Sequence, residues 1–165
     1  MAASSSASYS LASPQVDTRI SVASCNMTGG ELDFMTNKAS HRSYALRFED
    51  ELTALLDGRD MAGLTEINPH WFLWMRTHHP SFRAGQYSGF HDGHDCAIVY
   101  DRAKLEPISE LSVTEIFLPS EIPRNENAKR FNWRQVMAVD FRYLASPQVT
   151  FTAACTHSIR GGKDK

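Results

Sequence analysis

Two short apolar runs flank a stretch with helical spacing, and that order constrains the fold more than any other feature of the chain. Arg19–Asn26 (RISVASCN) and Met61–Ile67 (MAGLTEI) combine β-branched and small apolar residues in runs of strand length. Between them Tyr44, Ala45, Phe48, Leu52, Leu55 and Leu56 recur on one helical face, with Arg47, Glu49, Asp50 and Glu51 on much of the remainder. Gly58 follows the last apolar residue, as suits a helix C-terminus. A strand–helix–strand unit makes its two strands parallel, and its crossover is nearly always right-handed. The C-terminal ends of both strands then lie on the same edge of the sheet.

The rest of the chain adds strands more than helices. HWFLWM behind Pro69 predicts a second helix, since proline is favoured at helix starts. Thr77 to Asp95, with its His, Gly and Ser, reads as a loop with at most a short strand. CAIVY, VTEIFLP, WRQVMAVDFRYL and VTFTAACTH read as strands, with the polar stretch from Pro119 to Asn132 as a loop. The hexapeptide LASPQV occurs at Leu11 and again at Leu144, each time ahead of a strand; it fits a trace of duplication or a chance turn-then-strand match. The pattern predicts an α/β (α+β) fold: a mixed sheet with helices on one face. The helices are too few to cover both faces, so one apolar sheet face is expected to be bare.

A chain of 165 residues suits one domain. Residues 1–17, rich in Ser and Ala, read as a disordered tail, and 18–165 as the domain. A net charge of −2 excludes a global basic field but not a nucleic-acid substrate, because a metal can neutralise the phosphate locally. Cys25, Cys96 and Cys155 lie far apart and are odd in number, which predicts buried thiols in a reducing, intracellular setting. The start lacks the charged and apolar regions of a signal peptide, and no segment is apolar enough to span a membrane.

Three polar residues directly follow apolar strands: Asn26, Glu66 and His157. Polar side chains at strand C-termini commonly face a ligand crevice. An amide and a carboxylate suit a hard cation, Mg²⁺ or Mn²⁺, which takes oxygen ligands. A histidine there can hydrogen-bond a phosphate or exchange a proton. The three are expected to converge at one edge of a single sheet. Each also has a plainer reading, as a turn cap, a solvated strand end or a satisfied histidine. Other groupings compete. His78, His79, His91 and His94 with Asp92 and Asp95 offer transition-metal ligands without the spacing of a zinc module. Trp71 and Trp74 offer stacking platforms, though their helical spacing favours core packing. Arg124, Lys129, Arg130 and Arg134 form a basic cluster that suits phosphates or a solvated loop.

RISVASCN with its loop and amphipathic helix, AGLTEINPHW, HDCAIVYDRAKL, KRFNWRQVMAVDF and FTAACTHS, in this order, resemble the N-terminal half of the endonuclease/exonuclease/phosphatase superfamily. Where the family usually ends its second strand in Gln-Glu, this chain has Thr65 and Glu66. The resemblance implies about half of a DNase I-like two-sheet sandwich. It implies a phosphodiester or phosphomonoester hydrolase in which Asn26 orients the phosphate or metal shell, Glu66 binds Mg²⁺ and His157 contacts the scissile phosphate. It assigns Tyr100 and Arg134 as substrate contacts, and a phosphodiester partner, nucleic acid before phospholipid. The family's Asp-x-Asn motif and terminal Asp-His pair do not occur after His157, where only Ser158 to Lys165 remain. The expectation is a truncated, catalytically incomplete hydrolase lacking the C-terminal half of the domain; a non-catalytic interaction module and a histidine-cluster metal protein are the alternatives.

Overall fold

The computed structural model describes residues 19–27, 38–117 and 133–157, without the side chains of 38–46, 117, 133 and 134. The expected tail and most of the basic cluster lie outside the described residues. β1 (Val22–Asn26) and β2 (Met61–Thr65) are parallel, in register from Val22 opposite Met61 to Asn26 opposite Thr65. The crossover between them is α1 (Lys38–Leu56). Its Phe48, Leu52 and Leu56, four residues apart, are buried in the core with Ala62, Leu64, Ala97 and Val99 of the sheet. Gly58 ends the helix with φ 65°, the left-handed conformation that glycine adopts without strain.

α2 (Pro69–His78) starts with Asn68 Oδ1 accepting the Trp71 N–H at 2.9 Å, and Pro69 occupies the first turn where no intrahelical donor is needed. Trp71 is buried and packs edgewise on Trp74 and against Phe48, so the two tryptophans are core residues, not stacking platforms.

The stretch read as a loop with at most a short strand holds a short strand, β3 (Tyr87–His91), and also a helical turn, α3 (Pro80–Arg83). β3 pairs antiparallel with β4 (Cys96–Asp101), completing the order β1-β2-β4-β3. Gly89 made this segment look like a loop, yet here it serves close packing. A Cβ at Gly89 would fall 2.8 Å from the Ile98 carbonyl and 3.4 Å from the Phe72 ring. β4 is buried along its whole length. Ala97 and Val99 face the helices, while Cys96, Ile98 and Tyr100 face the other way.

That second face is not bare, contrary to the expectation from pattern alone. It is covered by a second sheet of β5 (Leu105–Pro107), β6 (Ser112–Phe117), β7 (Trp133–Tyr143) and β8 (Ser146–Thr156). β8 runs along one edge of β7, and β5 and β6 pair with successive stretches of the other. Leu144 and Ala145 of the second LASPQV form the turn of the β7–β8 hairpin; the first copy lies outside the described residues. The inter-sheet core joins Met61, Cys96, Ile98 and Tyr100 to Leu105, Met137, Val139, Phe141 and Cys155. Tyr100 meets Phe141 at 5.0 Å between ring centroids, in the edge-to-face geometry that aromatic pairs prefer. The outward face of the second sheet is largely polar: Asp140 accepts from Thr152, and Arg142 pairs with Glu106. This is the layered arrangement expected for half of a DNase I-like sandwich, with helices outside the first sheet.

His79 couples this fold to pH. It is 1% exposed, and its Nε2 donates to Thr53 Oγ1 at 3.1 Å, because that hydroxyl donates onward to the Glu49 carbonyl. Its Nδ1 is buried with no partner among the described residues. Burial lowers the His79 pKa, only partly offset by Glu49. The unfolded chain therefore binds more protons than the folded one as pH falls through the ordinary histidine value of about 6.5. The neutral ring's stability contribution is complete above that value and is lost below it. In His79→Gln the Tm deficit relative to the parent is expected to shrink from pH 7.5 to pH 5.5; thermal melts across this range check it, and a constant gap would contradict it.

Candidate functional site

Four strand ends converge at one edge of the structure. Asn26 ends β1 and Glu66 follows β2, side by side because the strands are parallel. β4 runs antiparallel to β2 with Thr65 opposite Cys96, so Asp95, just before β4, lies at the same edge. β8 ends at Thr156 and delivers His157 from the second sheet.

Asn26 Nδ2 donates to Glu66 Oε1 at 2.8 Å. His157 Nε2 lies 3.3 Å from the same oxygen, and its Nδ1 is 2.6 Å from Asp95 Oδ2. A carboxylate can only accept when ionised, so the Nδ1–H points at Asp95 and holds the ring with Nε2 toward Glu66. Side-chain exposures of 32% for Glu66, 24% for His157 and 46% for Asp95 leave the group open to a ligand. Asn26, Glu66 and His157 thus come together across two sheets, not at the edge of a single sheet as pattern suggested. Asp95 joins them from the histidine-rich loop. Its position directly before an apolar strand was the available signal.

Glu66 is the one non-glycine residue with positive φ among the described residues, at 57°. That conformation costs an L-residue roughly 1–2 kcal/mol. Backbone strain of this kind persists where the surroundings over-determine it, and it concentrates at functional sites. Here Met27 N–H donates to the Thr65 carbonyl at 2.8 Å, and Ile67 N–H donates to the Asp95 carbonyl at 3.1 Å, pinning both sides.

The other candidates sit elsewhere. Tyr100 lies opposite Met61, at the far end of β2 from Glu66, and is 6% exposed between Phe90 and Phe141. It packs the inter-sheet core because the antiparallel register carries the C-terminal end of β4 away from the site. The Arg134 backbone pairs with Ile116 near the start of β7, and its side chain lies outside the described residues. Among the described residues no histidine belongs to a group of metal-ligating side chains. His91 uses both nitrogens: Nδ1 accepts the Gly93 N–H at 2.9 Å and Nε2 donates to the Ile67 carbonyl at 2.7 Å. His78 stacks on Trp74 at 5.2 Å, and His79 is buried beside Thr53.

Comparison with known proteins follows this geometry. No protein-family model matches the chain, and no curated protein matches its sequence. Solved structures do match in fold. D. rerio TDP2 complexed with a single-strand DNA product aligns with a TM-score of 0.52 at 18% identity, over 90% of this chain and 49% of that one. A humanised D. rerio TDP2 gives a TM-score of 0.52 at 18% identity, over 84% of this chain and 46% of that one. ANGEL2, a 2′,3′-cyclic phosphatase in complex with adenosine-2′,3′-vanadate, gives a TM-score of 0.53 at 17% identity, over 84% and 41%. The chain shares the fold of these structures, a partial DNase I-like fold. The chain spans about half the length of the solved structures it matches.

The strain at Glu66 is measurable. Glu66→Ala and Glu66→Gly both remove the carboxylate and its bonds to Asn26 and His157, and differ only in the Cβ. Glycine normally loses to alanine; at this φ the order is expected to invert, with Glu66→Gly more stable by about 1 kcal/mol. Chemical denaturation of the two variants tests this, and greater stability of Glu66→Ala would refute it.

Proposed function

We propose that this chain carries the metal-holding and phosphate-contacting half of a phosphoester hydrolase of the endonuclease/exonuclease/phosphatase class. The observation that supports it most is Glu66, held in strained backbone by its neighbours and bonded to Asn26 and His157 at the strand ends. The neighbours in fold include one structure with a single-strand DNA product and one with a cyclic-nucleotide analogue, which favours a phosphodiester substrate of nucleic-acid type over a phospholipid.

The donor chemistry fits a hard divalent cation. Both polar contacts of Glu66 use Oε1, and a carboxylate beside an amide offers the oxygen ligands that Mg²⁺ or Mn²⁺ takes while keeping several waters. Such an ion, held by Glu66 with Asn26 beside it, would polarise the phosphoryl oxygen and offset its charge. Asn26 fixes the Glu66 carboxylate in place. His157, oriented by Asp95, presents Nε2 to a phosphate oxygen and can move a proton there. Arg134 stays a candidate phosphate contact, and the placement of Tyr100 argues for packing instead. The sequence has no Asp-x-Asn to orient and deprotonate an attacking water. A general base is typically worth about 10²- to 10⁴-fold, so turnover by these residues alone is slow. Metal and phosphate binding without turnover is the second reading, since the contacts among Asn26, Glu66 and His157 account for binding by themselves.

A Mg²⁺-dependent phosphodiesterase assay on the 165-residue chain, paired with binding of a phosphorothioate oligonucleotide, tests the proposal. Weak turnover, and Mg²⁺-dependent oligonucleotide binding lost in Glu66→Ala, are expected. Binding and turnover that are indifferent to Glu66→Ala would overturn both readings. Robust turnover abolished by Glu66→Ala would show that the chain supplies its own base, with Asp92 or Asp95 the acids at hand.

A further inference from the structure

A second group of ligating atoms lies directly behind His157. Asp92, Asp95 and Cys96 each offer one, and these atoms all fall within 4.8 Å of one another. Asp92 is the unusual member. Its side chain is 0% exposed, and its Oδ1 accepts backbone N–H bonds from His94, Asp95 and Cys96 at 2.8–3.1 Å. Its other oxygen, Oδ2, is buried with no partner among the described residues. A carboxylate oxygen shielded from water with neither donor nor cation is strongly unfavourable.

Two thiols complete the surroundings. Cys96 Sγ lies 3.6 Å from Asp95 Oδ1, and Cys155 of β8 is buried with Cys96 in the inter-sheet core. No lysine or arginine pairs with Asp92 or Asp95 among the described residues; their ion-pair contacts are histidines only.

We infer that Asp92, Asp95 and Cys96, with Cys155 as fourth donor, form a binding site for a thiophilic divalent cation of the Zn²⁺ class, separate from the Mg²⁺ position at Glu66. Two carboxylates and two thiolates make a closed four-donor set, the coordination number of structural zinc. Thiolate donors select against Mg²⁺. Zn–S of about 2.3 Å and Zn–O of about 2.1 Å put tetrahedral donors roughly 3.4–3.8 Å apart, and the donor atoms of Asp92, Asp95 and Cys96 already lie within 4.8 Å of one another. Each thiol gives its proton to solvent as its metal bond forms. Cys155 lines a cleft of about 420 Å³ between β1, β2 and β8. The cation would tie β4 of the first sheet to β8 of the second. Asp95 would bind it through Oδ1 and keep Oδ2 for His157, joining this site to the first. The inference does not depend on the hydrolase reading, since it concerns only donors and packing.

Cobalt(II) is the probe, because its tetrahedral thiolate complexes absorb through ligand-to-metal charge transfer. One equivalent added to the reduced full chain should give that absorption, bleached by Zn²⁺ and not by Mg²⁺. Glu66→Gln should retain it. Cys96→Ser should lose most of it, and Asp92→Asn, nearly isosteric and so less prone to misfold, should weaken cobalt affinity at least tenfold. Absence of the absorption in parent protein shown by circular dichroism to be folded would overturn the inference. So would an unchanged affinity in Asp92→Asn, or a band that survives Cys96→Ser and Cys155→Ser combined.

Discussion

The structure depends on the packing of one sheet against the other. Met61, Ile98 and Tyr100 press on Met137, Val139 and Phe141, and this contact decides where β8 ends. Cys155 comes within hydrogen-bonding reach of the Leu64 carbonyl at 3.6 Å, which sets the next residues of β8 beside the end of β2. His157 therefore reaches Glu66 because of an apolar interface a few residues away. Volume changes in that interface are felt at the site, since close-packed interiors transmit displacement instead of absorbing it. The site is assembled from strand ends, which are rigid, and little of its described part rests on loops. The exception is the turn from His91 to Asp95, and that turn is stiffened by the Asp92 carboxylate accepting three backbone N–H groups.

Within the site, a chain of polar contacts runs Asn26–Glu66–His157–Asp95. Its order has a consequence for reactivity. The imidazole is gripped from both sides, so rotation about its χ2 would break two contacts at once. An amide on the far side of Glu66 similarly fixes the carboxylate. Pre-organisation of this kind lowers the cost of orienting groups on ligand binding, which is where positioning contributes to catalysis. The strained φ at Glu66 belongs to the same arrangement: relaxing the backbone would swing the carboxylate away from its two partners.

Sequence reasoning reached the local features and missed what register decides. The parallel β1–α1–β2 unit was legible because its periodicity lies within about fifty residues and its helix stop is a glycine with φ 65°. Placing Asn26, Glu66 and His157 after apolar strands needed no tertiary information either. Separating two sheets did need it: a strand followed by a hairpin strand has the same alternation whichever sheet it joins, and only the family resemblance implied the sandwich. β3 was only partly legible because Gly89, Ser88 and His91 have the composition of a loop; its strand character comes from pairing with β4. Tyr100 and Asp95 were exchanged for the same reason. Both flank CAIVY, and only the antiparallel register, Thr65 with Cys96 and Met61 with Tyr100, tells which end of that strand meets the site.

The balance of charge supports the proposal that the site holds cations. Glu66, Asp92 and Asp95 bring three carboxylates to one end of the structure, and among the described residues their only ion-pair partners are His157 and His91. His91 is also engaged by backbone, Nδ1 accepting the Gly93 N–H and Nε2 facing the Ile67 carbonyl. Three acids thus share two histidine rings. Like charges a few ångströms apart at a partly dry protein edge repel by about 2–4 kcal/mol per pair at an effective dielectric near 20. A fold can tolerate such repulsion in three ways: by protonating an acid, by recruiting basic side chains, or by binding a cation. Asp92 already fills Oδ1 with three backbone N–H donors. The second is not seen at these acids. The third fits both ends of the cluster, with oxygen donors at Glu66 suited to a hard ion and thiols beside Asp92 suited to a soft one.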